Sequence, residues 1–260
     1  MGLITLLTDF GHKDSYVGVM KGVIAGIGPH NQVIDLTHDI QPQSILGARF
    51  NLLASYSYFP AKTIHIVVVD PGVGTQRVAI AAQVSTPRGH QTVVVPDNGI
   101  LTGFCITAAV ALTQTDYWLT SQPSNTFHGR DIFAPVAAHL ANGVPMEKLG
   151  PSISAADLVC LDIGTATSTP IGYDGSIQYS DHFGNLITNI PGQNLRSRPW
   201  QVILGEHRLP YYRTYGQTEP GTALALIGSH GYVELAINGG SAAQILATQI
   251  GDPVKLIYES

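Results

Sequence analysis

"TIHIVVVDPGVGTQR", Thr63–Arg77, is the stretch from which the fold can be worked out. Its first half is a nearly continuous β-branched run, which is typical of a strand buried on both faces of a sheet. Its second half bends at a proline and two glycines that separate Asp70 from Arg77. Ligands of open parallel sheets bind beyond the carboxyl ends of the strands, so this turn is a candidate part of a site.

Similar short runs recur along the first 160 residues and alternate with segments of helical period. The predicted strands are "LITLL", "VIDLT", "TIHIVVV", "VAIAAQV" and "TVVV". Two apolar stripes at helical spacing predict helices with one buried face: Val17, Met20, Val23, Ile24 and Ile27, and then Ile45, Ala48, Leu52 and Tyr56. This alternation predicts an α/β domain with a mostly parallel sheet over residues 1–160.

Two further helices are expected in this domain. One is predicted from Gly99 to about Leu112, and the other from Asp131 to Ala141, where Asn142 and Gly143 form a C-terminal signal.

The sequence pattern changes from about residue 166, where short strand-like runs replace the alternation of strands and helices. This pattern predicts an all-β, barrel-like domain over residues 166–260. Its strand candidates are "SIQYS", "NLITNI", "WQVIL", "LALIG", "YVELAI" and "VKLIY", separated by turn residues. The intervening "VPMEKLGPSISAADL", residues 144–158, is expected to be the linker.

Composition narrows the class of partner. Only 12% of the 260 residues are charged and 44% are hydrophobic, so we expect part of the surface to be buried in an oligomer. The formal charge of -5, without a long basic run, argues against nucleic acid and favours a small ligand.

The N-terminus resembles no signal peptide and no apolar run is long enough to span a membrane, so the expected location is cytoplasmic. Cys105 and Cys160 lack metal or redox spacing and are expected to be buried.

Polar clusters stand at the predicted ends of four strands. They contain Asp9, the segment from Asp35 to Asp39, Asp70, and the pair Asp97 and Asn98. A single acidic turn is ordinary turn chemistry, but four at one edge of a sheet predict a binding site.

Familiar cofactor and metal motifs are missing from the sequence. The glycines match neither the Walker nor the dinucleotide-binding spacing, and the ten histidines include no H-E-x-x-H pair, so we predict no metal site. "TFHGRD", Thr126–Asp131, is another candidate: Thr126 is a possible helix cap, and His128 and Arg130 supply an imidazole and a positive charge.

Taken in order, these motifs resemble those of the S-adenosyl-L-methionine hydroxide adenosyltransferases, which are relatives of the fluorinase and chlorinase. The resemblance spans nearly the whole chain. The segments that carry it are "LTDFGHKDSYVGVMKGVI", "VVVDPGVGTQR", "VPDNGIL", "TFHGRDIFAPVAAHLA", "DHFGNLITNI" and "GSHGYVELAINGGSA".

The resemblance implies an α/β domain followed by a β-barrel. It also implies a homotrimer that binds S-adenosyl-L-methionine between the first domain of one subunit and the second domain of its neighbour. The implied reaction is attack of water, as hydroxide, on the ribose C5′ carbon, which yields adenosine and L-methionine. No metal or redox cofactor is implied.

The resemblance also assigns roles to residues. Asp70, Arg77 and His128 match the water-activating triad, with either Asp70 or His128 open as the base. The implied substrate contacts are Asp9 to the ribose, Asp181 to the methionine ammonium, Phe183 and Asn185 to adenine, and Ser229 and Glu234 near the methionine end. The chain departs from the halide enzymes in having one residue fewer between Asp181 and Phe183, and His230 where they carry an arginine.

Two other functions compete with this hypothesis. A halogenase of the same fold would use chloride or fluoride, but the halide enzymes place a tyrosine and a serine where this chain resembles the hydroxide branch, at Asp70 and Gly129. A non-catalytic binding module would keep the adenosine contacts and have no need of Asp70, Arg77 and His128.

Overall fold

The computed structural model describes residues 2–193, 195 and 199–259. By internal contacts the chain divides into two compact units, Met1–Leu161 and Asp162–Ser260. In the described ranges, no helix combines the length and the apolar character needed to cross a membrane.

The first unit is built on one six-stranded mixed sheet. Its strands are β1 Leu3–Thr8, β2 Gln32–Thr37, β3 Ile64–Val68, β4 Ala79–Thr86, β5 Gly89–Pro96 and β6 Ile106–Ala111. The spatial order is β2-β1-β3-β5-β4-β6. The first four strands in this order are parallel, whereas β4 pairs antiparallel with both β5 and β6. The five strands predicted for this domain are confirmed.

Three α-helices cover the sheet: α1 Tyr16–Ile27, α2 Ile45–Ser55 and α3 Ala134–Ala141. A π-helical turn, Gly129–Phe133, leads directly into α3, which ends at Ala141 as predicted, with Asn142 as its C-cap. The Ser44 hydroxyl caps α2 by accepting a hydrogen bond from the Gly47 N–H.

The sheet separates two cores, which explains why β3 is apolar at every position except His65. Alternate side chains of a strand point to opposite faces. Accordingly, Ile66 and Val68 pack in the core that contains α1 and α3. Val67 and Val69 pack in the core that contains α2. A strand buried on both faces shows no regular polar alternation, so its sequence is a nearly continuous apolar run.

The helix predicted from Gly99 to Leu112 is wrong. Gly99 and Gly103 have φ values of 98° and 86°, which no α-helix accommodates, and the chain turns there before β6. Residues 106–111 then pair with β4. The tertiary pairing overrides the helix propensity of the alanines.

Two smaller expectations also fail. The predicted linker packs on the first unit: Leu149 and Leu158 are buried in its two cores, and Ser152 bridges to Val110. Cys105 and Cys160 are both exposed. The apolar neighbours of the cysteines suggested burial, but Cys105 lies in irregular backbone just before β6, and Cys160 in the irregular segment that follows a 3₁₀ turn, Ala155–Asp157.

The second unit is an antiparallel, barrel-like sheet. Its strands are β7 Thr167–Thr169, β8 Gly172–Ser180, β9 Leu186–Pro191, β10 Trp200–Leu204, β11 His207–Pro210, β12 Ala223–Ile227, β13 Tyr232–Ile237 and β14 Pro253–Tyr258. A short helix, α4 Ala242–Ile245, precedes β14. The order is β11-β10-β14-β8-β9-β13-β12, with β7 on β8. The two outer strands of this sheet, β11 and β12, approach each other. There Tyr211 forms a β-bridge with Ala225, and the Tyr212 N–H donates to the Ala225 carbonyl at 2.9 Å. The predicted fold class is confirmed for both units.

A buried polar network crosses the first sheet at His65, which has no exposed surface. The Gln91 amide N–H₂ donates to the carbonyls of residues 56, 59 and 60. The Gln91 Oε1 therefore accepts from His65 Nε2 at 3.2 Å, and His65 Nδ1 accepts from the Thr5 hydroxyl at 2.7 Å. Burial lowers the pKa of His65 from 6.5 to about 4.

The His65 network is expected to make the fold acid-labile. Because the unfolded chain binds a proton near pH 6.5 and the folded one only near pH 4, this stability is present above pH 6.5 and is lost as the pH falls toward 4. From these values we expect about 2 kcal/mol of loss in the free energy of unfolding between pH 7 and pH 5. Urea unfolding at the two pH values measures it.

The control is His65→Gln, which cannot take up the proton. This variant should be less stable at pH 7 but should show a smaller loss between pH 7 and pH 5 than the unchanged chain. An equal loss in both proteins would contradict the assignment to His65.

Candidate active site

The carboxyl edge of the parallel strands gathers the predicted polar clusters. Thr8 of β1 pairs with Val68 of β3, so Asp9 and Asp70, which follow these residues, lie at one edge of neighbouring strands. Asn98 follows β5 and its side-chain N–H₂ donates to the Val69 carbonyl at 2.9 Å. Asn98 thereby anchors the main chain immediately before Asp70.

A cavity of about 410 Å³ opens at this edge. Its lining includes Asp9, Tyr16, Asp70, Phe127, His128 and Gly129. Three of its aromatic rings, Phe10, Tyr16 and Phe127, pack edge-to-face or tilted with centroids 5.2 to 5.9 Å apart. The cavity thus combines an apolar wall with two carboxylates and an imidazole, as small-molecule sites do.

Asp70 and Arg77 form a nearly buried ion pair, with side chains 4% and 10% exposed. Arg77 Nε donates to both carboxylate oxygens at 3.0 Å, and Nη2 makes a further short bond to Oδ2. This bidentate geometry holds the carboxylate in one orientation.

The loop between the two residues folds tightly. The Val73 N–H donates to the Asp70 carbonyl, and the Thr75 N–H to the Gly72 carbonyl. Gly74 has φ +76°, and a Cβ there would lie 2.2 Å from the Asn125 carbonyl oxygen. Only glycine permits both the backbone conformation and this approach.

Arg77 also joins Asp70 to His128. Its Nη2 donates to His128 Nδ1 at 2.8 Å, and its guanidinium carbon lies 5.3 Å from the centroid of the Phe133 ring. A guanidinium has no acceptor, so Nδ1 must be unprotonated and the neutral ring carries its proton on Nε2. Burial, and then the charge of Arg77, lower the pKa of His128.

His128 stands just before the π-helical turn Gly129–Phe133. Such turns are frequent at functional sites. Asp131, buried in this turn, accepts from Arg130 Nε at 2.7 Å and from the Ser124 N–H at 2.8 Å. These bonds brace the loop before His128. Thr126 does not cap the helix; its side chain contacts the Ser124 hydroxyl.

Asp9 is held by Gln43, a residue with a strained backbone conformation. The Gln43 N–H donates to Asp9 Oδ2 at 2.7 Å, and Gln43 has φ 66°, a left-handed conformation that is rare for a residue with a side chain. Both residues line the cavity. Strain of this kind is concentrated at functional positions.

The second unit carries its own cavity, of about 450 Å³. It is lined by Phe183, Asn185, Tyr215, Ile237, Gly239 and Gly240. Phe183 is 74% exposed, whereas Asn185 is buried. An exposed aromatic face beside an amide suits a planar, hydrogen-bonding ligand.

Asp181 shapes the loop that presents these two residues. Its Oδ1 accepts from the N–H groups of Phe183 and Asn185 at 2.9 and 2.8 Å, and its Oδ2 accepts from Asn185 Nδ2 at 2.9 Å. Gly184 adopts φ +79° and lies too close to Ser241 for any side chain. The carboxylate predicted to bind an ammonium group therefore also organises its own loop.

The remaining predicted residues lie around β12 and β13. Ser229 is exposed in the turn between these strands. Glu234 is buried in β13, where its two oxygens accept from the Tyr215 hydroxyl at 2.6 Å and from His230 Nε2 at 3.2 Å. Tyr215 was not predicted from the sequence. Its one signal was an aromatic residue in a polar stretch, "RTYGQTEPG".

The structure thus collects the predicted site residues into two groups. Asp9, Asp70 and His128 line one cavity, with Arg77 bound to the last two. Phe183 and Asn185 line the other, with Asp181 bound to both. Among the described residues, no cluster of three or more His, Cys, Asp or Glu side chains is placed to hold a metal ion.

An α/β unit with a strand-edge Asp–Arg–His cluster, followed by an antiparallel barrel-like unit, defines the class of protein. Family models assign the same class: the SAM hydroxide adenosyltransferase N-terminal domain matches residues 4–150 and the C-terminal domain matches residues 175–255. The chain belongs to this family.

Individual relatives agree with this assignment. The chain is 38% identical over 258 residues to a protein of Salinispora arenicola named (R)-S-adenosyl-L-methionine hydrolase, with 97% of each chain covered. A fluorinase of Actinopolyspora mzabensis is 28% identical over 277 residues, covering 93% of this chain and 92% of the fluorinase. The crystal structure of an uncharacterized conserved protein from Thermotoga maritima aligns with a TM-score of 0.89 at 35% identity, covering 98% of this chain and 99% of that one.

Proposed function

We propose that this protein hydrolyses S-adenosyl-L-methionine to adenosine and L-methionine. The observation that carries the proposal is the Arg77 guanidinium, which bonds both Asp70 and His128 at the cavity that also contains Asp9. A binding module has no use for such a linked acid, cation and imidazole. The hydrolase name of the Salinispora relative supports the same substrate and reaction.

In the proposed reaction, a water oxygen attacks the ribose C5′ in line with the bond from C5′ to sulfur. The new bond from C5′ to oxygen forms as the bond to sulfur breaks, and the electron pair leaves with sulfur, which becomes the neutral thioether of L-methionine. The water loses one proton. The sulfonium is already a good leaving group, so the proposal needs no metal or redox cofactor.

The tautomer of His128 divides the roles between the two candidate bases. While Nδ1 accepts from Arg77, Nε2 carries a proton and can only donate, so His128 can orient the water oxygen. Asp70 retains lone pairs beyond those that Arg77 occupies. We therefore assign proton acceptance to Asp70 and orientation of the water to His128.

The same groups disfavour a halide as the nucleophile, although the family includes a fluorinase relative. A halide needs hydrogen-bond donors or a cation, and the guanidinium of Arg77 is already engaged by Asp70 and His128. A carboxylate about 4 Å from a halide costs on the order of 4 kcal/mol at an effective dielectric near 20, before the compensation by Arg77.

Incubation in oxygen-18 water with molar chloride tests the function. We expect adenosine labelled at its 5′-hydroxyl, detected by mass spectrometry, together with an equal amount of L-methionine. The (R) and (S) sulfonium forms are supplied separately, because the name of the relative specifies the (R) form. A major 5′-chloro-5′-deoxyadenosine product, or unlabelled adenosine, would refute hydrolysis.

We also propose that the active protein is a cytoplasmic homotrimer whose sites combine the first unit of one subunit with the second unit of its neighbour. The proposal rests on the family resemblance and on the low charge content of 12%. Asp9, the proposed ribose ligand, belongs to the first unit, and the proposed adenine contacts Phe183 and Asn185 belong to the second.

Mixing two inactive variants tests this sharing of sites. Asp9→Ala and Asn185→Ala homo-oligomers are each expected to be inactive, and subunit exchange between them should restore activity at those sites that combine two intact units. A mixture of Asp9→Ala with Asp70→Asn is the matched control: both changes lie in the first unit, so every first unit in the mixture is damaged and no site should recover. If the mixture of Asp9→Ala and Asn185→Ala regains no activity after proven subunit exchange, each site lies within one chain and the sharing of sites is refuted.

A further inference from the structure

Glu234 has a buried carboxylate that is fully engaged within the second unit. It lies in the middle of β13, paired with Leu226 of β12 and Ile187 of β9, and is 4% exposed. Burying a carboxylate is costly unless hydrogen bonds replace its water. Both oxygens have such a partner: Oε1 accepts from the Tyr215 hydroxyl at 2.6 Å and Oε2 from His230 Nε2 at 3.2 Å.

The His230 contact has a defined direction. His230 Nδ1 accepts from the Tyr232 N–H at 3.1 Å, so the proton of the neutral ring lies on Nε2, which donates to Glu234. Gly228 makes room for this contact, since a Cβ at that position would lie 2.4 Å from His230 Nε2 and 2.6 Å from Glu234 Oε2. The main chain is therefore shaped around the bond between the two side chains.

Tyr215 is fixed at its hydroxyl end and open along its ring. It begins a 3₁₀ turn, Tyr215–Gln217, closed by a capping box between Thr214 and Gln217. The residue is 43% exposed and lines the same cavity as Phe183 and Asn185. Burial, and then the bond to Glu234, raise the pKa of the Tyr215 phenol, so the hydroxyl remains a donor at neutral pH.

We propose that Glu234 is a positioning residue that holds the Tyr215 ring as one wall of the cavity for a planar base, and that it does not bind the methionine end of the substrate. The identity of the base rests on the proposed function, under which it is adenine. Phe183 forms another part of the lining and the Asn185 amide offers hydrogen bonds. This reassigns the role that the family resemblance suggested for Glu234.

Product binding in a double-mutant cycle tests the proposal. Tyr215→Phe keeps the ring and removes the hydroxyl, and Glu234→Leu removes the acceptor at similar volume. We expect each change to weaken adenosine binding by about ten-fold in calorimetric titration, and the double variant to be no weaker than either single one. L-methionine, titrated with adenosine saturating, should keep its Kd within about two-fold. Tyr211→Phe, whose ring packs on Trp200 away from the cavity, is the control.

Three results would overturn the proposal: multiplicative losses in the double variant, a selective loss of L-methionine affinity in Glu234→Leu, or unchanged adenosine binding in Tyr215→Phe. If Glu234→Leu fails to fold, Glu234→Met takes its place, because it also removes the acceptor of the Tyr215 hydroxyl and is closer to Glu in length. If the unchanged chain binds no adenosine, the proposed function fails. The same single and double variants are then compared by their urea unfolding midpoints. If the stability losses of the two single variants simply add in the double variant, Glu234 does not hold Tyr215 in place.

Discussion

Asp70→Asn is expected to lower kcat by about 1000-fold while the KM for S-adenosyl-L-methionine changes by no more than about three-fold. The substitution keeps the shape of the side chain and leaves Asp9, Phe183 and Asn185 unchanged. It removes the negative charge that accepts the proton of the attacking water. Steady-state kinetics, with adenosine quantified by chromatography, separate the effect on kcat from that on KM.

Asp97→Asn provides the matched control. Asp97 follows the neighbouring parallel strand β5, and its Oδ1 accepts from the Val159 N–H at 3.0 Å, a bond that an amide oxygen can still accept. It does not line the cavity. Near-normal kcat is therefore expected for Asp97→Asn. A near-normal kcat for Asp70→Asn as well would reduce Asp70 to a turn residue.

Arg77→Met is expected to damage both stability and turnover. Because Asp70 is 4% exposed, removal of its partner leaves a buried charge without compensation. Breaking one side of such a pair costs about 3 to 5 kcal/mol in the free energy of unfolding. Urea unfolding at pH 7 measures that loss. Turnover should fall as far as in Asp70→Asn, since His128 also loses the donor that sets its tautomer.

The double variant Asp70→Asn/Arg77→Met separates the two effects. With both charges gone, no uncompensated carboxylate remains, and most of the lost stability should return while turnover stays low. Stability in Arg77→Met within about 1 kcal/mol of the unchanged chain would contradict this account, since it would mean that water compensates Asp70.

The local pattern of apolar residues in the sequence was sufficient to predict most of the strands and helices. Strand β3 was predictable because burial on both faces forces a continuous apolar run, and α1 because its core face recurs at helical spacing. Strand β6 was not, since its alanines favour a helix and only the unpaired edge of β4 makes it a strand. The exposure of Cys105 likewise depends on the irregular backbone between a turn and β6, which its apolar neighbours do not reveal.

The site residues were predicted unevenly for a related reason. The strand-end rule and the family resemblance both pointed to Asp70 and Asp9. Which nitrogen of His128 carries a proton depends on a contact with Arg77, 51 residues away in the sequence, and no local pattern encodes it. Tyr215 was missed because its part in the second cavity follows from a bond to Glu234, which lies 19 residues later, in strand β13.

The close approach of Gly74 to the Asn125 carbonyl bears on how this enzyme family can be recombined. The loop that carries Asp70 and the loop that leads into His128 meet main chain to main chain at Gly74, where any added side chain would collide with the Asn125 carbonyl. A chimera that imports only residues 70–77 from a halide-using relative would therefore bring a foreign surface against the native loop at 124–128. The two segments form one exchangeable block, although some 50 residues separate them along the chain.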